Sequence, residues 1–192
     1  MNMSKKVLIM TGDAVDCLEV YYPYYRCLEE GIDVTIASPT KKKLQTVCHD
    51  FLPTMETFTE LVGYKIDSDA SVDDINPADF DALIIPGGRA PEYIRMNKKV
   101  QDIAAHFLQE NKPMGVICHG QLVLTTIREH IQGRSMTAYT CCRPEVEAAG
   151  ANYVEKMVVV DGNLVTGHAW PDLPGFMREF FNLLNVKETV SV

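Results

Sequence analysis

The chain has 192 residues, 46% of them hydrophobic and 23% charged, which suits one domain with a sizeable core and a water-facing surface. A formal net charge of −8 argues against nucleic acid or an anionic membrane as the main partner, and no apolar run approaches the roughly 20 residues of a membrane span. Six cysteines, at 17, 27, 48, 118, 141 and 142, follow no disulfide-scaffold spacing and contain no CxxC, which points to a reducing cytoplasm and away from structural zinc.

Met1 to Lys6 runs straight into the strand-like Val7–Met10 without an apolar leader, so no signal peptide is expected. Thr11-Gly12-Asp13 reads as a turn, and helical spacing follows from about Leu18 to Glu30, with Gly31 as its C-terminal cap. Asp33–Ala37 is a second strand closed by Ser38-Pro39, and the β-α-β unit predicts a right-handed crossover and a parallel sheet. Lys41-Lys42-Lys43 reads as a solvated turn. From about Thr40 to Asp79 the periodicity is weak, and hairpins and loops over the sheet edge are expected. Phe80–Ile85 is a further strand, ending at Pro86-Gly87-Gly88 and followed by a long helix over Pro91–Asn111. Glycines at the carboxyl end of a parallel strand let backbone amides face a ligand.

Pro113–Ile117 is a buried-strand run that leads directly into Cys118-His119-Gly120, and Gln121–Ile127 has helical spacing. A cysteine between strand and helix occupies an elbow, where nearby amides and the helix dipole are expected to lower its pKa from about 8.5. The pattern reads as an exposed, reactive thiol; the alternative is a buried cysteine packing as a small hydrophobe. Arg134–Tyr139 is a predicted strand, with Cys141-Cys142 beyond it as two unrelated thiols, and Pro144–Ala149 a short helix capped by Gly150. Met157–Val160 and Asn163–Thr166 flank Asp161-Gly162, a hairpin signal, and the last helix covers Leu173–Leu184 with Phe176, Phe180, Leu183 and Leu184 on one face.

Three stretches carry a resemblance: Ala82 through Pro86-Gly87-Gly88-Arg89 to Tyr93, Ile117-Cys118-His119-Gly120-Gln121, and Val159-Val160-Asp161-Gly162-Asn163. Together they resemble the ThiJ/PfpI superfamily from the first strand to the last helix. The resemblance implies an α/β, flavodoxin-like three-layer sandwich with a mainly parallel sheet, one domain over 1–192, related to class I glutamine amidotransferases. It also implies that no metal or organic cofactor is needed. Cys118 is implied as the nucleophile, and Glu19, standing before Val20-Tyr21-Tyr22-Pro23, as the carboxyl that contacts its sulfur. A carboxylic acid beside a thiolate can stay protonated, donate to sulfur and later move protons on the substrate.

By the same resemblance His119 is the base of a Cys-His-Glu triad and Glu92 its acid, supplied across a homo-oligomer interface. A base needs such an acid to fix its tautomer and stabilise the imidazolium. The alternatives are a His119 donating to a backbone carbonyl and a Glu92 serving only as a first-turn carboxylate. Gly87, Gly88 and the His119 amide are candidates for an oxyanion hole. His49-Asp50-Phe51 resembles a pattern of the plant tandem-domain glyoxalases, so His49 is either a pocket residue or a surface-loop histidine. Thr166 to Asp172 departs from PfpI proteins, which tend to carry an Arg-His pair here; His168 and Trp170 are expected to reshape the pocket mouth. The leading expectation is a cofactor-independent glyoxalase that converts 2-oxoaldehydes such as methylglyoxal to 2-hydroxy acids through a Cys118 hemithioacetal. The alternatives are a PfpI-type peptidase or amidase using Cys118, His119 and Glu92 on a peptide, and a redox or stress protein sensing through Cys118 oxidation.

Overall fold

A computed structural model describes residues 4–186; the expectation about a leader rests partly on Met1, Asn2 and Met3, which lie outside that range. The chain forms β1 (Lys6–Met10), α1 (Cys17–Glu29), β2 (Asp33–Ser38), β3 (Lys43–Phe51), β4 (Phe58–Asp67) and β5 (Ala70–Ser71). It continues through β6 (Ala82–Ile85), α2 (Ala90–Ile94), α3 (Lys98–Gln109), β7 (Met114–Ile117), α4 (Gln121–Leu124) and β8 (Ser135–Met136). The last elements are α5 (Arg143–Ala148), β9 (Asn152–Tyr153), β10 (Val158–Asp161), β11 (Leu164–Gly167) and α6 (Leu173–Leu184).

Seven strands make the central sheet in the order β10-β11-β7-β6-β1-β2-β5, parallel except for β10. The residues of β1, β6 and β7 alternate between two covered faces, so the strands read as continuous apolar runs. Helices α1 and α6 pack together on one face, and α3 with α4 on the other. Close packing shows at Gly115 of β7, where an added Cβ would lie 2.7 Å from the Phe176 ring of α6. The doubly wound order reverses direction between β1 and β6, and their carboxyl ends, with that of β7, meet at one crevice.

Several elements depart from the sequence-based reading. The helix expected over Pro91–Asn111 is two helices, because Asn97 adopts extended backbone and its side chain accepts from the Lys99 N–H at 2.8 Å, capping a new start. The strand expected over Arg134–Tyr139 shrinks to Ser135–Met136, paired with Asn152–Tyr153 in a separate two-stranded sheet. Beyond it the Thr137 N–H is taken by Thr166 Oγ1 and the Tyr139 N–H by the Cys118 carbonyl, so neither is free for a ladder. After Leu124 the helix tightens into 3₁₀ turns with a kink at Ile127, where the Thr125 and Thr126 hydroxyls donate to carbonyls three residues back. The weakly periodic 40–79 segment holds a long hairpin, β3–β4, which joins the loop after β1 rather than the sheet edge. No helix among the described residues is long and apolar enough to cross a membrane.

Candidate active site

Cys118 ends β7 with φ of +62°, the left-handed region a side chain seldom adopts, and Gly120 starts the next turn. The elbow is fixed from all sides. The Cys118 N–H donates to the Gly167 carbonyl at 3.0 Å, and the fully buried Gln121 amide donates to carbonyls of Val116, Thr137 and Gly167. Gly87 is packed so closely that an added Cβ would stand 2.6 Å from both Cys118 Cβ and Glu19 Oε2, and 2.9 Å from the His119 nitrogen. Gly88, at φ +72°, abuts the backbone of Ala14 and Asp16. Three neighbouring strands thus bring together Glu19, Gly87-Gly88 and Cys118, as the sequence reading expected.

Glu19 is wholly buried on the first turn of α1. The spacing Asp16-x-x-Glu19 has the form of a capping box, and Asp16 does cap the helix, accepting from the Leu18 and Glu19 N–H groups. Glu19 instead turns into the crevice, where its Oε2 accepts from the Gly87 N–H at 2.7 Å. No nitrogen among the described residues donates to its other oxygen, and the Cys118 thiol is its neighbour. Burial, and then the charge of Asp16, hold the Glu19 carboxyl well above the usual carboxylate range.

Two expectations about Cys118 are corrected. The thiol is buried, 4% exposed, not open to solvent, and burial pushes it up, with an ionised Glu19 adding to the rise and the Gly88 amide opposing it. The following helix has only four residues and supplies little dipole. The rise of the Glu19 carboxyl itself favours its neutral form, which weakens that repulsion. The Gly87 amide is already bonded to Glu19 and so is not free for the oxyanion role expected of it.

His119 Nδ1 lies 3.3 Å from Cys118 Sγ. Burial, reinforced by the nearby His49, lowers its pKa to about 4, so the ring is neutral at pH 7. Glu92 does not orient it within this chain: the residue is exposed on α2, and its charge reaches Cys141 and Cys142 instead. The His119 ring is held by stacking on Tyr139, centroids 5.2 Å apart, and by the edge of Phe58. Its Nε2, with the sulfurs of Cys141 and Cys142, forms a trio whose atoms lie within 4.8 Å of one another. Burial pushes both thiols up and favours the protonated forms that do not ligate a metal.

His49 is not a surface-loop histidine: its side chain is 4% exposed, with Nδ1 2.8 Å from Asp16 Oδ2 and Nε2 3.4 Å from Glu60 Oε2. Burial opposes its charge, but the bonds to Asp16 and Glu60 raise its pKa above 6.5. Glu60 in turn accepts a forked pair of bonds from Arg89, closing the hairpin onto the loop after β6. Trp170 stacks on Phe51 at 5.2 Å and on His49 at 6.2 Å, while His168 sits beside Tyr139 with Nδ1 3.9 Å from Asp172. Both therefore pack near His119, Trp170 through His49 and His168 through Tyr139. Sequence reasoning missed Asp16, Phe58, Glu60, Arg89 and Tyr139; only the Asp16 capping pattern carried a signal for any of them. A surface groove of about 900 Å³, lined by Lys5, Lys6, Ile32 and Asp81 among others, holds no cysteine or histidine.

A family model described as the DJ-1/PfpI family matches residues 5–183. The deglycase PfpI of Pyrococcus furiosus is 38% identical over 179 residues, 93% of this chain and 99% of that protein. A putative cysteine protease of Bacillus subtilis, YraA, is 34% identical over 182 residues, 95% of this chain and 99% of its own length. Among solved structures, a two-domain protein of Anabaena variabilis with DJ-1/ThiJ/PfpI-like and ferritin-like domains superposes with a TM-score of 0.83 at 25% identity. That match covers 98% of this chain and 50% of that one.

Proposed function

The chain belongs to the DJ-1/PfpI family, and from that premise we propose that it is a Cys118-dependent enzyme that converts 2-oxoaldehydes such as methylglyoxal to 2-hydroxy acids without a cofactor. The observation that carries this reading is the pairing of Cys118 with Glu19, a carboxyl that burial raises well above the usual carboxylate range. The sulfur adds to the aldehyde carbon, giving a hemithioacetal whose oxygen faces the Gly88 and His119 amides. His119, neutral and 3.3 Å from the sulfur, takes the proton from that carbon and returns it to the adjacent carbon, while Glu19 gives its proton to the ketone oxygen and recovers one from the hydroxyl of the sulfur-bearing carbon as that carbon becomes a carbonyl. The product is a thioester. Water attacks it, the carbon–sulfur bond breaks, and the 2-hydroxy acid leaves as the thiol is restored. The same hemithioacetal forms if the aldehyde arrives from an amine or thiol adduct, which accommodates a deglycase reading as well.

The test is hydroxy-acid formation from methylglyoxal in the absence of glutathione. Cys118→Ala is expected to abolish it and Glu19→Gln to lower it by about 10²-fold. Full turnover by Glu19→Gln would remove the proton-transfer role.

One observation favours a second reading, a cysteine peptidase or amidase: the His119–sulfur contact also suits acyl transfer. This reading needs Glu92 from a neighbouring copy, and α2 offers it on a surface where Tyr93 is 47% and Met96 75% exposed. Peptide hydrolysis that disappears with Glu92→Gln, while methylglyoxal turnover persists, would favour it.

A further inference from the structure

Two thiols outside the nucleophile elbow are arranged as a pair. Cys17 Sγ and Cys48 Sγ lie 3.3 Å apart, although the residues are 31 apart in sequence. Cys17 opens α1, and Cys48 belongs to β3. The segments that carry them run side by side: Asp16 and Val47 form a parallel bridge, and the Val47 N–H donates to the Val15 carbonyl at 2.9 Å. Cys17 and Cys48 are thus the next neighbours beyond that bridge. The sulfurs already stand 3.3 Å apart, against about 2.05 Å in a disulfide. Only the two sulfurs have to approach, by rotation about their side-chain torsions.

Access is also present. Both residues are partly exposed, and Cys17 lines a surface groove with Tyr21, Tyr25, Tyr64 and Lys65. Of the remaining thiols, Cys27 is buried on α1, Cys118 faces Glu19 and His119, and Cys141 and Cys142 are neighbours in sequence that group with His119.

We propose that Cys17 and Cys48 are a redox modification site, joined by a reversible disulfide when the protein meets hydrogen peroxide. One thiol, as its thiolate, attacks the peroxide oxygen, breaking the O–O bond and giving a sulfenic acid and hydroxide, which takes up the proton the thiol released. The second thiolate then attacks that sulfur and expels hydroxide, which takes up a proton. In sum, two thiols and one peroxide become one disulfide and two waters.

The bond would staple the hairpin to the helix turn that carries the site. Asp16, beside Cys17, bonds His49, beside Cys48, at 2.8 Å; Glu19 stands one half-turn further along α1. Oxidation therefore fixes the Asp16–His49 contact and the position of Glu19, and closes a long loop of chain.

The experiment treats the wild-type protein, and separately Cys118→Ser, with hydrogen peroxide. Free thiols are blocked, and digested peptides are mapped by mass spectrometry without reductant. The expected result is a linked Cys17–Cys48 peptide in both proteins, reversed by dithiothreitol, and a rise of about 5–15 °C in unfolding midpoint for the oxidised Cys118→Ser protein. In Cys48→Ser the linked peptide and the rise should both vanish. The proposal is overturned if Cys17 and Cys48 remain alkylatable at peroxide levels that oxidise Cys118, if the linked peptides join other cysteines, or if Cys17 accumulates as a sulfenic acid without linking.

Discussion

His119 ties the chemistry to a measurable dependence of stability on pH. Burial moves its imidazole from 6.5 to about 4, equivalent to about 3 kcal/mol between its two protonation states. The folded protein binds this proton less readily than the unfolded chain, so stability falls as pH drops from above 6.5 through about 4. Worked through the two pKa values, the loss is about 2 kcal/mol between pH 7 and pH 5, and about 3 kcal/mol by pH 4. His49, whose pKa is raised, has the opposite sign: its contribution is complete at low pH and disappears as pH rises. The whole-protein profile therefore mixes both histidines, and a variant is needed to isolate one. Urea unfolding of wild type and His119→Asn between pH 5 and pH 7.5 does so. The stability advantage of wild type over the variant should shrink by about 2 kcal/mol toward pH 5. Parallel profiles would refute the claim that His119 is held neutral by its surroundings, and with it the role of that ring as a ready proton acceptor.

Glu19→Gln should show the reverse slope: the raised Glu19 pKa makes its contribution largest at acid pH and progressively lost above about 4.5, so the variant should gain on wild type between pH 5 and pH 8 in thermal unfolding. Gly87→Ala should cost about 1–3 kcal/mol in urea unfolding and abolish methylglyoxal turnover, because the new methyl meets Cys118 Cβ and the His119 nitrogen, neither at the end of a flexible chain. Trp170→Ala removes the plate stacked on Phe51 and His49; KM should rise about 3- to 10-fold with kcat within about 2-fold, and an unchanged KM would take Trp170 out of the mouth.

The parallel strands and the elbow were legible because continuous apolar runs end at Gly87-Gly88 and at Cys118-His119-Gly120, signals that local composition carries. The break at Asn97 was weaker, since a single capping residue competes with helical spacing on both sides. The hairpin roof escaped a precise reading because β4 is largely exposed and shows little inside–outside alternation. The burial of Cys118 was hidden for a related reason. The groups packed about it, Glu19, Gly87 and the His119 ring with Phe58 and Tyr139 against it, come from separate parts of the chain. Asp16 shows how a local rule misleads: its spacing to Glu19 reads as a cap, while the tertiary pull of the Gly87 amide sends the glutamate elsewhere.

The β3–β4 hairpin divides the labour of this molecule. The sheet and elbow own the reactive atoms; the hairpin, a separate two-stranded unit, owns much of the ceiling through His49, Phe51 and Phe58. It is moored to the rest by the strand-like contact at Val15–Val47 and by the Glu60–Arg89 fork. Changes along its length can therefore reshape the surroundings of the elbow while leaving the backbone geometry at Cys118 alone. That separation makes the hairpin the natural place for descendants of this chain to acquire new tastes.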